Sequence, residues 1–265
     1  MSQRRRARWL FAALCLSSGG CSPPSEAPRV ALPIVVDASG VVPVVTDLEY
    51  EVEISAARVV IQDLVFTVAG DVHTSAQGRG LFEAIFPVAY AHPGHYQGGE
   101  VTGELLGDFV VDWPADEGRA LGVTTLLVAT YRAANFTFGR GSPERLSADD
   151  PLLGHTAVLS GTATRAEQRI RFTIVVDSPE GRALVGAPFE ASVDAETRGA
   201  LRLRFNTLDG LEGDSIFDAI DFAALDEDGD GIVVIEPGAG EVEDAYNSFR
   251  RAFQTHDHYS VELQE

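Results

Sequence analysis

The chain has 265 residues, a formal net charge of −20, and 26 Gly and 13 Pro that punctuate an aliphatic sequence. All 20 basic residues are Arg, which excludes lysine Schiff-base chemistry and a phosphate-loop lysine, and the acidic excess excludes an electrostatic footprint for nucleic acid. Cys15, Cys21 and the single Met, at position 1, all lie at the N-terminus, so beyond it disulfides, thiolate zinc sites and thioether copper(I) sites are excluded.

Residues 1–20 read as a signal peptide. Arg4, Arg5, Arg6 and Arg8 form a basic head, residues 9–16 are a short apolar core, and small residues lead into Cys21. The apolar run is too short to span a bilayer as a mature helix. Ser17-Ser18-Gly19-Gly20-Cys21 resembles the lipobox of bacterial lipoproteins, with Ser18 where Leu is commonest. The resemblance implies cleavage before Cys21 and lipidation of its sulfur. Ser22, rather than Asp, after that Cys implies the outer membrane. Cleavage would leave 16 Arg against 40 acids, a net charge of −24, which suits a cell-envelope protein that attracts cations. Residues 21–28, with three Pro, read as an extended tether.

Residues 29–265 read as one mainly β domain, an antiparallel β-sandwich. Tyr50, Val52 and Ile54 alternate with Glu49, Glu51 and Glu53, a strand with one wet face. Residues 58–68 continue it, with a phase shift near Asp63 that predicts a bulge. Residues 101–113 read as a strand or a broken pair. Strands at 123–130 and 135–138 follow, with Tyr131-Arg132-Ala133-Ala134 between them. Residues 155–164 and 169–176 read as a hairpin, and 189–193 and 200–206 as two further strands. Trp113 reads as a core anchor.

The histidines, six in all, fall into a pattern. His92-Pro93-Gly94-His95 has the signature of a type II turn, which brings its first and fourth residues within about 7 Å. Both imidazoles can then reach one ion, with Glu100 or Glu104 close by. Residues 81–90 are apolar and carry Pro87, a short helix or covered loop delivering that turn. His256-Asp257-His258, if extended, presents a second pair on one face. His73 is expected at the same end of the sandwich as the Pro93-Gly94 turn and Glu100; His155, which begins a strand, reads either as a further donor there or as a capping or packing histidine. Paired imidazoles suit zinc or copper(II).

After Asn206 an acidic helix–loop–helix unit is expected at about 214–255. Asp214-Ser215 caps a helix containing Ile216, Phe217, Ile220, Phe222 and Leu225. Next comes Asp226-Glu227-Asp228-Gly229-Asp230-Gly231-Ile232. Asp at the first, third and fifth places with Gly sixth resembles the calcium loop of the EF-hand family. The resemblance implies calcium on Asp226, Asp228, Asp230 and the Ile232 carbonyl. The family's twelfth-place Glu is Pro237 here, with Glu236 one place early and Glu241 or Glu243 as substitutes through a longer loop. Residues 243–254 read as a second helix that aims His256 and His258 back at the domain.

The chain broadly resembles periplasmic copper- and zinc-binding lipoproteins associated with metal uptake, without a family-specific motif. That implies an anchored metal binder for buffering or delivery, with a metal transporter or outer-membrane receptor as partner, and no catalysis. Two alternatives stand beside it: a structural or adhesive sandwich stabilised by calcium alone, and a metal-dependent hydrolase with Glu100 as base.

Overall fold

The computed structural model describes residues 27–68, 100–210 and 212–265. The chain is mainly β, with two sheets packed face to face and a small helical unit near its C-terminus. Among the described residues no helix is long and apolar enough to cross a membrane.

The smaller sheet has the order β12-β10-β1-β5 and is built from Arg29–Asp37 (β1), Ala120–Leu127 (β5), Ala200–Phe205 (β10) and Tyr259–Gln264 (β12). Alternation in β1 sends Val30, Leu32, Ile34 and Val36 inward. The larger sheet is organised on β3 (Glu51–Val68). One edge of β3 pairs first with β7 (Ala157–Arg165) and then with β6 (Ala129–Phe138). The other edge pairs with β2 (Val44–Val45) and β4 (Glu100–Asp112). Beyond β7 lie β8 (Gln168–Val176) and β11 (Ile232–Ile235), and beyond β6 lies β9 (Ala183–Val193).

The bulge expected near Asp63 is present. Register shifts between Gln62 and Leu64, Asp63 has φ 51°, and its carboxylate accepts from the Gly107 amide at 2.9 Å. The hairpin of β7 and β8 closes with Arg165 opposite Gln168. Residues 131–134, expected as a break, continue β6, because Tyr131, Ala133 and Ala134 are buried there. Two pairings depart from the antiparallel scheme: β1 with β10 and β11 with β8 are parallel.

The helix expected from Asp214-Ser215 is shorter. Only Phe222–Leu225 (α1) is helical, and Asp221 caps it by accepting from the Ala224 amide. The preceding amides are diverted: Phe217 N donates to Ser215 Oγ, Ser215 N to Asp218 Oδ2 and Ala219 N to Asp47 Oδ1. Such side-chain bonds compete with the helical ladder. Ile216, Phe217 and Ile220 are buried nonetheless, so their spacing reports burial and not a helix. The second helix, α2 (Glu243–Phe253), forms as expected and buries Tyr246, Phe249 and Phe253.

Aromatic contacts knit these parts together. Trp113 is fully buried, donates from Nε1 to Leu203 O across the sandwich, and packs on Phe205. From Phe205 the contacts pass through Tyr259, Phe253, Phe249, Phe217, Phe172 and Phe222 to Tyr50, each pair 5.2–6.1 Å between centroids. Such pairs contribute about 0.5–1.5 kcal/mol each beyond burial.

Tyr259 lies inside this chain with its hydroxyl unpartnered, and burial pushes its pKa well above the ordinary phenol value. Tyr259→Phe is therefore expected to be neutral or stabilising by about 1 kcal/mol, since an unmade buried hydrogen bond is removed. Phe249→Ala is expected to cost about 3–5 kcal/mol. Urea denaturation of the two variants checks both signs.

Candidate functional site

The acidic loop sits between two anchored elements. Phe222 of α1 is buried in the core, and Tyr50 Oη donates to the Asp221 carboxylate at 2.6 Å while accepting from the Ala223 amide. On the other side β11 lies parallel to β8, with Ile232 opposite Arg171 and Val233 and Ile235 buried. The loop between them folds on its own carboxylates. Asp226 Oδ1 accepts from Gly231 N at 3.1 Å, Asp228 Oδ1 from Asp230 N at 3.3 Å, and Asp230 Oδ1 from Ile232 N at 2.8 Å. Gly229 and Gly231 have φ of 72° and 73°, a left-handed backbone that side chains with Cβ resist.

Asp226, Asp228 and Asp230 each place a carboxylate oxygen within 4.8 Å of the others. Calcium–oxygen bonds of 2.3–2.6 Å allow two ligand oxygens to be about 5 Å apart at most, so the triad has the right span for one such ion. It is the one convergent group of three or more His, Asp or Glu side chains among the described residues. Glu236 does not join it, because β11 is extended and carries the chain about 13 Å away from the loop before Glu236.

The histidines are arranged otherwise than expected. Cys21, His73, His92 and His95 lie outside the described residues, and Glu100 is placed only as the first residue of β4. His256, Asp257 and His258 form a 3-10 turn and not an extended segment, so the two imidazoles are not set two apart on one strand face. The turn follows from its position, between the end of α2 and Tyr259, which must enter β12 opposite Phe205. His258 is buried, with Nδ1 3.0 Å from the Asn206 carbonyl, and burial pushes its pKa down against the pull of that carbonyl and of Asp209, Asp257 and Asp214. His256 Nδ1 lies 3.2 Å from Asp257 Oδ2. His155 precedes β7, with Nδ1 2.9 Å from Asp177 Oδ1. Asp177 also meets Arg140 at 3.7 Å, and its amide donates to Tyr246 Oη.

The two ends of the segment that carries His73, His92 and His95 are placed. Val68 and Glu100 face each other across β3 and β4, and Thr102 beside them accepts from Arg29 at the start of β1. His258 adjoins Asn206, just past β10, which runs parallel to β1 and ends beside Asp37. The length of β1, about 26 Å at 3.3 Å per residue, therefore separates those two ends from His258.

A second cluster was missed by sequence reasoning. Buried Asp37 accepts from Ser39 N, Arg202 Nε, and Arg204 Nε and Nη2, at 2.7–3.2 Å. The arginines continue to Glu117 and Glu262. Only the alternation Leu201, Leu203, Phe205 hinted at it, by placing Arg202 and Arg204 on one face. These guanidiniums line an open groove of about 390 Å³, but each already has two carboxylates, so the groove is a structural ion-pair network and not an anion site.

No family model matches the chain, and neither the curated proteins nor the solved structures contain a match.

Burial alone would raise the Asp37 pKa, but the hydrogen bonds from Ser39, Arg202 and Arg204 overrule it and hold the carboxyl well below the usual range. A depressed carboxyl stabilises the fold fully above its unfolded pKa of about 3.9 and loses that contribution as pH falls towards the folded value. Asp37→Ala is expected to cost about 2–4 kcal/mol at pH 7. The gap to wild type is expected to narrow by about 1 kcal/mol at pH 3, as read by denaturant titration at the two pH values.

Proposed function

We propose that the chain is a lipid-anchored, extracytoplasmic β-sandwich protein whose acidic loop binds calcium. The observation that carries the reading is the convergence of Asp226, Asp228 and Asp230 within 4.8 Å on a loop held by α1 and β11. The Ile232 carbonyl and water complete an oxygen set of the kind calcium prefers. Three carboxylates brought together repel one another, and a divalent ion relieves that repulsion. Tied to the core on both sides, the loop transmits ion binding into fold stability. A lipid on Cys21 keeps the domain at the envelope, where calcium is supplied from outside. The reading assigns no catalysis.

With three carboxylates and no twelfth-place Glu, the dissociation constant is expected at about 0.1–1 mM, the range of extracellular calcium modules. At 5 mM calcium the gain is then about 1–2 kcal/mol, or about 2–8 °C in Tm for a domain of this size. Asp226→Asn with Asp230→Asn is expected to abolish the shift and, in chelator, to be at least as stable as wild type. An undiminished calcium shift in the double variant would sink the calcium reading.

A second reading, binding of zinc or copper(II) for buffering or delivery, is favoured by one observation. Asp177 engages His155 Nδ1, the arrangement by which a carboxylate orients a metal-ligating imidazole and leaves Nε2 for the ion. His92, His95, His73, His256 and His258 remain its further donors, and a metal transporter or outer-membrane receptor its partner. Competition for zinc against a chelating dye tests it. His155→Ala and His92→Ala/His95→Ala are each expected to weaken binding tenfold or more, and unchanged affinity in both removes the reading.

A further inference from the structure

The tether and the acidic loop leave the sandwich at opposite ends of β3. Arg29 donates from Nη1 to the Thr102 carbonyl, and Val101 and Gly103 beside it pair with Thr67 and Phe66, at the C-terminal end of β3. Val128 N donates to the Pro28 carbonyl, which fixes where the tether departs. The loop's strand reaches β3 elsewhere: Ile232 lies opposite Arg171, Arg171 opposite Thr162, and Thr162 opposite Glu53, near the N-terminal end. Some 14 residues of β3 separate Glu53 from Thr67, roughly 40 Å of strand once its bulges are allowed for.

Three valines are exposed on the flank beside the tether. Val101 is 52 % exposed, Val123 61 % and Val128 36 %. Arg29, Glu104, Val101, Val123 and Thr125 line a shallow, mainly polar groove of about 380 Å³ where β4 and β5, strands of different sheets, come together. They approach closely because Gly103 and Gly122 carry no Cβ; one at either position would meet Leu126 or Leu105 below 3 Å. Isolated exposed valines need no explanation, but these surround one exposed Arg at the root of a short tether. Eight residues separate Cys21 from Arg29 and span at most about 28 Å. A leash that short keeps the end of the domain that carries Arg29 near the anchor.

We propose that this flank, Arg29 with Val101, Val123 and Val128, is the face that the anchored domain rests on the phospholipid surface, so that the acidic loop is held on the side away from the bilayer. The proposal rests on the lipid-anchor reading of Cys21. The valines meet the interfacial region, the Arg29 guanidinium meets headgroup phosphate, and the tether supplies the high local concentration that so small a patch needs.

The test separates the flank from the natural lipid. The chain from Cys21 onward, whose only thiol is Cys21, is coupled through that sulfur to a maleimide lipid in phosphatidylcholine vesicles carrying a headgroup nitroxide. Trp113 is buried and gives a constant background, so a Trp is added at Val123→Trp or at Val234→Trp, the latter on exposed β11. Fractional quenching at position 123 is expected to exceed that at 234 at least twofold, and Val101→Asp in the Val123→Trp chain is expected to remove the difference. Equal quenching, none at either position, or more at 234 overturns the proposal. So does a blue shift of the Val123→Trp emission that grows with protein concentration without vesicles, because the flank is then covered by a second copy. Intact mass of Cys21 from a bacterial membrane fraction reports separately on the lipid: its absence removes the anchor reading, whereas the vesicle comparison alone decides which face meets lipid.

Discussion

The contact between Tyr50 and Asp221 joins the sandwich to its acidic unit. Tyr50 is buried just ahead of β3, the strand on which the larger sheet is built, and its hydroxyl lies 2.6 Å from the carboxylate that caps α1. Arg165 stacks over the Tyr50 ring at 4.2 Å and pairs with the same Asp221. The residue that starts α1 is thus held by a ring, a hydroxyl and a guanidinium at once. Asp226 follows within little more than one helical turn, so the position of the whole loop is inherited from the core. A loop of the same sequence on a free surface would have to be ordered by the ion alone, at the cost of its backbone entropy. Here most of that ordering is done by hydrophobic burial before any ion arrives.

Charge is distributed to the same end. Half-buried arginines of the sandwich are consumed by carboxylates: Arg58 by Asp150, Arg202 and Arg204 by Asp37, Arg165 by Asp221. Between Asn206 and Phe249 the sequence has no basic residue at all. Asp221 is met by Arg165 from the sandwich, whereas Asp226, Asp228 and Asp230 accept from backbone amides of their own loop. Coulomb attraction for a divalent ion is therefore concentrated where the three carboxylates converge. The ion-pair network at Asp37 shows the contrast: an equally acidic pocket, neutralised by guanidiniums from the neighbouring strand, has nothing left for a ligand.

What was legible in the sequence was what depends on near neighbours. Alternation marks the start of β3, the phase shift at Asp63 marks its bulge, and the spacing of Tyr246, Phe249 and Phe253 marks α2. The Asp-x-Asp-x-Asp-Gly pattern gives the loop, because its hydrogen bonds span at most five residues. What was not legible depends on partners far along the chain. Nothing local says that β10 lies parallel to β1, or that β11 adds to β8. Ile232 therefore read as a loop ligand when it also opens a strand. Ser215, Asp218 and Asp47 divert amides from an apolar run that otherwise reads as a helix. His256-Asp257-His258 looked like a chelating arm because two imidazoles two apart share a strand face. Tyr259 must enter β12, the backbone turns before it, and His258 is drawn inward to Asn206.

The same long-range order decides how the ends of the molecule are used. β3 is long enough to pair with two strands in succession on each edge, so features attached to its opposite ends are held apart by the sheet itself. The start of β1 and the roots of the segment between Val68 and Glu100 belong to one end; the acidic loop belongs to the other. Hydrogen-bonded ladders do not stretch, so neither end can approach the other without unpairing the sheet. In the proposed arrangement, an anchor at one end fixes the side of the acidic loop through strand register and not through any contact between the two. Chemistry that needs donors from both ends has to be brought together by residues between Val68 and Glu100, whose 31 positions are long enough in sequence to run the length of β1. Calcium binding, as proposed, rests on the loop alone and asks nothing of those residues.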